Sequence, residues 1–142
     1  MADMEILEEM IAKIEASIDE YDEADTSVIY DSIDAITNAG YQSEAIEPLL
    51  QLFERHPLAY FGDPGGIVHF IEQFSGEYEN FLAESVKRTP ASTTVWMLNR
   101  RINAGERAEE FMGLLQEIAG RTDVAKDIKE RAQGFVDFQA NR

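Results

Sequence analysis

The chain has 142 residues, 44% hydrophobic and 28% charged, the proportions of one folded domain rather than of a disordered tail or a membrane bundle. Its 28 acidic side chains outnumber 12 basic ones, and the resulting charge of −16 argues against binding a nucleic-acid backbone. With no cysteine, disulfides, thiolate metal sites and cysteine nucleophiles are excluded together.

Met1-Ala2-Asp3-Met4-Glu5 is acidic where a secretory leader would be basic, and no apolar run approaches the ~18 residues that span a bilayer. The expectation is a single cytoplasmic all-helical domain over residues 1–142 that does not engage a membrane. Met4, Leu7, Ile11, Ile14, Ile18 and Tyr21 recur at three- and four-residue steps, predicting one long amphipathic helix. It runs into Asp19-Glu20-Tyr21-Asp22-Glu23-Ala24-Asp25, a poor place for acid because a helix dipole is negative there.

Thr26 and Ser27 can cap a second helix that turns Ile29, Ile33 and Ile36 inward and stops at Asn38-Ala39-Gly40. A third spans about Ser43 to Arg55, burying Ile46, Leu49, Leu50 and Phe53 before His56-Pro57 closes it. Pro57 to Gly66 reads as irregular, with Asp63 as cap and Pro64 as the first residue of a fourth helix burying Ile67, Phe70, Ile71 and Phe74. A fifth covers about Glu77 to Arg88, and Thr89 with Pro90 reads as cap and start of a sixth. The sixth carries Val95, Leu98 and Ile102 on one face and Trp96 and Met97 on others. A seventh buries Phe111, Leu114, Leu115 and Ile118, and Thr122 caps a last helix with Val124, Ile128, Phe135 and Phe138 inward. About eight helices result.

Asn38 to Gln51 recurs 65 positions later as Asn103 to Gln116, with seven of fourteen residues identical. At an offset of 33, Leu49, Phe53, Arg55 and Pro57 correspond to Leu82, Val86, Arg88 and Pro90. A period near the length of a helix-turn-helix unit predicts a short right-handed α-solenoid of antiparallel helix pairs, HEAT-like in type.

Little in the chain points to catalysis. His56 and His69 are 13 residues apart and form no metal-ligating pair, and His69 should face solvent. Gly62-Asp63-Pro64-Gly65-Gly66 lacks the lysine of a phosphate loop, and no Gly-x-Ser-x-Gly elbow exposes a nucleophile. The expectation is a non-enzyme without metal or cofactor. Asn99 falls on the inward face of helix six, where a buried amide ties a neighbouring segment to the core.

Charge is distributed unevenly. Residues 1–48 hold fourteen acids against Lys13 alone, a net −13, while residues 49–142 hold fourteen acids and eleven bases, a net −3. Asp19, Glu20, Tyr21, Asp22, Glu23, Asp25, Tyr30, Asp31, Asp34, Asn38 and Tyr41 together read as a partner-binding surface. Tyrosines interleaved with acids suit a basic protein partner, and the rival account is a surface that only confers solubility.

Gly62 to Glu72 (Gly-Asp-Pro-Gly-Gly-Ile-Val-His-Phe-Ile-Glu) and Val95 to Arg100 (Val-Trp-Met-Leu-Asn-Arg), in a small acidic cysteine-free helical chain, resemble the helical immunity proteins of bacterial toxin systems. That resemblance implies a tight one-to-one complex occluding a cognate, basic toxin domain, often a nuclease, and carries over no site residue. The alternative from the residues themselves is a helical adaptor or chaperone holding a partner helix in an apolar groove beside Trp96 and Met97. A third, a small-molecule enzyme with a carboxylate pair, requires a pocket of convergent polar groups.

Overall fold

Among the described residues eight α-helices follow one another: α1 (Met4–Ala16), α2 (Thr26–Asn38), α3 (Ile46–Arg55), α4 (Gly66–Glu72), α5 (Tyr78–Arg88), α6 (Ser92–Asn103), α7 (Ala108–Gly120) and α8 (Lys126–Ala140). The computed structural model describes residues 4–142, so the expectation for Met1-Ala2-Asp3, and that for the Met4 side chain in the first stripe, lie outside the described residues. Among the described residues there is no strand, and the one extended pairing is an isolated bridge between Glu23 and Tyr60.

The apolar stripes form the core as their spacing requires. Leu7, Ile11 and Ile14 of α1, Ile29 and Ile36 of α2, and Ile46, Leu49, Leu50 and Phe53 of α3 are all buried. Phe53 meets Phe61 edge to face at 5.0 Å, joining α3 to the irregular segment ahead of α4. Phe111, Leu114, Leu115 and Ile118 of α7 close the other end. The most extensive interfaces join α7 to α8, α1 to α2 and α6 to α7, and α2 with α4, α3 with α5 and α6 with α8 pack across one intervening helix.

Both copies of the Asn-Ala-Gly signal end a helix in the same way. Gly40 and Gly105 are left-handed, at φ +91° and +82°, and the N–H groups of Tyr41 and Glu106 reach back to the Ile36 and Arg101 carbonyls at 3.3 and 3.4 Å. The leucine pairs that follow, Leu49-Leu50 and Leu114-Leu115, are buried in both copies.

Several boundaries differ from the expected ones for identifiable reasons. Helix α1 stops at Ala16 rather than near Tyr21. The Ser17 hydroxyl donates to the Ile14 carbonyl at 2.7 Å, and Asp19 then captures the N–H groups of Tyr21 and Glu23, so local side-chain bonds outcompete helix. The acidic run is therefore a loop and does not oppose the α1 dipole. Asp25, not Thr26 or Ser27, caps α2, its carboxylate accepting from the N–H of Ser27 and Val28. Asp63-Pro64 is a cis peptide and α4 begins only at Gly66, after Gly65. Gly65 is required there: at φ +90° a Cβ would lie 2.2 Å from the Phe61 carbonyl oxygen. Helix α6 starts at Ser92 because Ala91 is extended, with its N–H on the Thr94 hydroxyl at 3.0 Å. Helix α8 starts at Lys126, past Thr122, and Phe138, expected inside, is 54% exposed.

Candidate interaction surface

The loop between α1 and α2 is held at both ends and at its middle. Asp19 Oδ1 accepts from Tyr21 N at 2.8 Å and Glu23 N at 3.1 Å, and the Asp19 N–H donates to the Glu23 carbonyl at 3.0 Å. Asp22 takes the left-handed conformation, φ +60°, which lets its carbonyl turn to accept from Tyr60 N at 2.7 Å. Ala24 N in turn donates to the Tyr60 carbonyl at 2.9 Å. Asp25 N donates to the Ser17 hydroxyl at 3.1 Å. The hydroxyl and N–H of Ser27, with the N–H of Val28, hold the Asp25 carboxyl below the ordinary aspartate range.

The outer face of α2 continues this surface with Tyr30, Asp31, Asp34 and Asn38, all exposed. Tyr21, 77% exposed, and Tyr30, 55%, present large apolar faces among the acids. The Tyr30 ring covers Gly66 at the start of α4, where a Cβ would meet it at 3.3 Å. Tyr60 and Asp63, to which the sequence of their irregular segment assigns no partner-binding role, join the set. The Tyr60 hydroxyl donates to Asp63, which raises the tyrosine above its usual pKa.

Tyr41 does not belong to this surface. It is 2% exposed, and its hydroxyl accepts from Leu7 N at 3.4 Å, so it fastens α1 to the start of the next segment. Its position directly after Gly40 turns it inward, which residue type alone does not reveal.

Ion pairs engage some of the acids and not others. Arg55 and His56 engage Glu15; Arg88 engages Glu54 at 2.9 Å; Arg100 engages Glu72 at 2.7 Å; and Arg101 engages Glu79 at 3.3 Å and Glu106. Arg107 with Glu110, Arg121 with Asp123, Arg88 with Glu84 and Lys126 with Glu130 complete the set. Among the described residues none of these contacts reaches Asp19, Glu20, Asp22, Glu23, Asp31 or Asp34. Arg55 is the first cause of the lowered Glu15 pKa, as Arg107 and Arg121 are for Glu110 and Asp123.

The remaining candidates settle into structural places. Asn99 is 6% exposed and accepts from Gln139 Nε2 at 2.7 Å, tying α6 to α8. His69 is exposed on α4. Met97 is 1% exposed, so it is core and cannot line the apolar groove expected beside it; Trp96 is only half-buried. Among the described residues no three His, Asp or Glu side chains converge as metal ligands, and no helix is long and apolar enough to cross a membrane. No family model, curated protein or solved structure matches the chain.

Proposed function

We propose that this protein is an immunity-type binding protein that neutralises a cognate basic toxin domain, receiving it on the acidic surface formed by residues 19–25, Tyr30, Asp31, Asp34 and Asn38 of α2, and Tyr60. The carrying observation is that six carboxylates there, Asp19, Glu20, Asp22, Glu23, Asp31 and Asp34, lie outside every intramolecular ion pair among the described residues. Arginines elsewhere seek out glutamates 28 to 40 positions away, as Arg100 does Glu72 and Arg55 does Glu15, so bases are available to the fold but not spent here. A like-charged cluster of this kind costs self-repulsion, whereas a cationic protein would gain steering and paired contacts from it. Tyr21 and Tyr30 supply the rigid amphipathic area that interface centres favour.

The reading includes a HEAT-like solenoid acting in the cytoplasm, with the acidic surface on its amino-terminal units. Supporting the solenoid, the main helix contacts fall between neighbours in sequence or across one helix, with α3 against α6 the exception. The test looks for a basic toxin domain in the neighbouring reading frame and mixes its product with the chain; a neighbouring frame without one overturns the reading. Loss of toxin activity at a one-to-one ratio is expected, with association that slows as salt rises. Asp31→Lys with Asp34→Lys should slow association by at least about tenfold at low salt. Association unaffected by that variant, or by salt, overturns the reading.

A further inference from the structure

The chain has eight arginines, and six of them, Arg55, Arg88, Arg100, Arg101, Arg107 and Arg121, lie in ion pairs. The two without a carboxylate partner among the described residues, Arg131 and Arg142, stand at one place. A groove of about 610 Å³ opens between α6 and α8, lined by Trp96, Asn99, Asn103, Arg131, Phe135 and Phe138. The Arg131 guanidinium lies 5.3 Å from the Trp96 ring centroid and 5.4 Å from that of Phe135. Its Nε is buried and has no hydrogen-bond partner among the described residues. Arg142 reaches the rim, donating to Asn103 Oδ1 at 2.7 Å with its guanidinium 5.9 Å from the Phe138 ring.

We propose that this groove binds a small organic monocarboxylate with an aromatic body, the carboxylate against Arg131 and the body among Trp96, Phe135 and Phe138. The volume falls in the range of about 300–1,000 Å³ typical of small-molecule sites, and an apolar lining with a few polar groups is their usual composition. In a molecule of charge −16 the groove gathers both unpaired guanidinium groups. A guanidinium that no carboxylate engages can receive one on its planar fork. Burial pulls Arg131 below the usual arginine range, and Asp63, acting from beyond ion-pair distance, offsets that only in part. The proposal uses none of the acidic-surface residues assigned to the toxin and stands whether or not that assignment does.

Trp96 is the only tryptophan, so its fluorescence reads the groove directly. Titration of the intact protein with 4-phenylbutyrate should give a saturable change, and the neutral 4-phenylbutyramide should bind at least about tenfold more weakly. Arg131→Met should erase that preference. Gly134 also lines the groove, and a Cβ added to it would meet no atom within 4 Å, so Gly134→Leu should fill the space and abolish the response. That variant should raise the thermal midpoint, because glycine inside a helix is unfavourable, which separates a blocked groove from a damaged fold. A flat titration, equal affinity for acid and amide, discrimination surviving Arg131→Met, or binding surviving Gly134→Leu each overturns the proposal. So does tighter binding of an uncharged amphipathic helical peptide, which would make the groove a seat for a partner helix.

Discussion

Glu79 and Asp34 show two uses of a carboxylate within one chain. Glu79 is 3% exposed, accepts from Gly76 N at 2.9 Å and meets Arg101, whose side chain is itself only 12% exposed. Asp34 stands exposed on α2 and takes part in no ion pair among the described residues. Beyond residue 48 fourteen acids meet eleven bases, and Arg88–Glu54, Arg100–Glu72 and Arg101–Glu79 cross between helices, whereas before it fourteen acids face one lysine. The later helices therefore use charge to fix helix against helix, whereas of the first acids Glu15, Asp19 and Asp25 do structural work and Asp31 and Asp34 on α2 join no ion pair among the described residues.

That contrast can be broken by substitution, beginning where the effect is greatest. Glu79→Ala removes one of the two carboxylates on the Arg101 guanidinium and the acceptor of the Gly76 N–H, and should lower unfolding free energy by about 2 kcal/mol in denaturant titrations. Asp25→Ala should lower the thermal midpoint by removing the α2 cap, and Asp25→Ser, which can still cap, should recover much of it. Glu15 sharpens the comparison through pH. Its folded pKa lies below the unfolded value near 4.5, so its contribution is present above that value and lost as pH falls through the folded one. Glu15→Gln should accordingly flatten the acid limb of the stability profile. Smallest of all, Asp31→Asn with Asp34→Asn should alter stability by no more than about 0.5 kcal/mol, toward greater stability, and less so as salt is added. A large loss from this last pair would show that the acidic face is structural.

The helices and most of their buried faces were legible because period and cap residues act locally: the Asn-Ala-Gly ends and the stripes of α3 and α7 follow from neighbours in sequence. What escaped were contacts between distant segments. Nothing around Tyr60 announces a bridge to Glu23, 37 positions earlier, and nothing in α8 announces that Phe138 stays at the surface. Tyr41 resembles its exposed neighbours in type, and only the claim of Leu7 N on its hydroxyl sets it apart. Arg131 and Phe135 stand four apart on one helical face, a spacing that could have drawn attention to the groove, but only packing against Trp96 makes a cavity of it.

The bridge at Tyr60 bears on how quickly this surface could capture anything. Loops rich in acid ordinarily sample many shapes, and a ligand must wait for, or impose, the right one. Here the Asp22 carbonyl and Ala24 N–H are already clasped to a segment braced by Phe61 in the core. A ligand of that surface would find the loop backbone already held in one shape, and would lose less conformational entropy in ordering it.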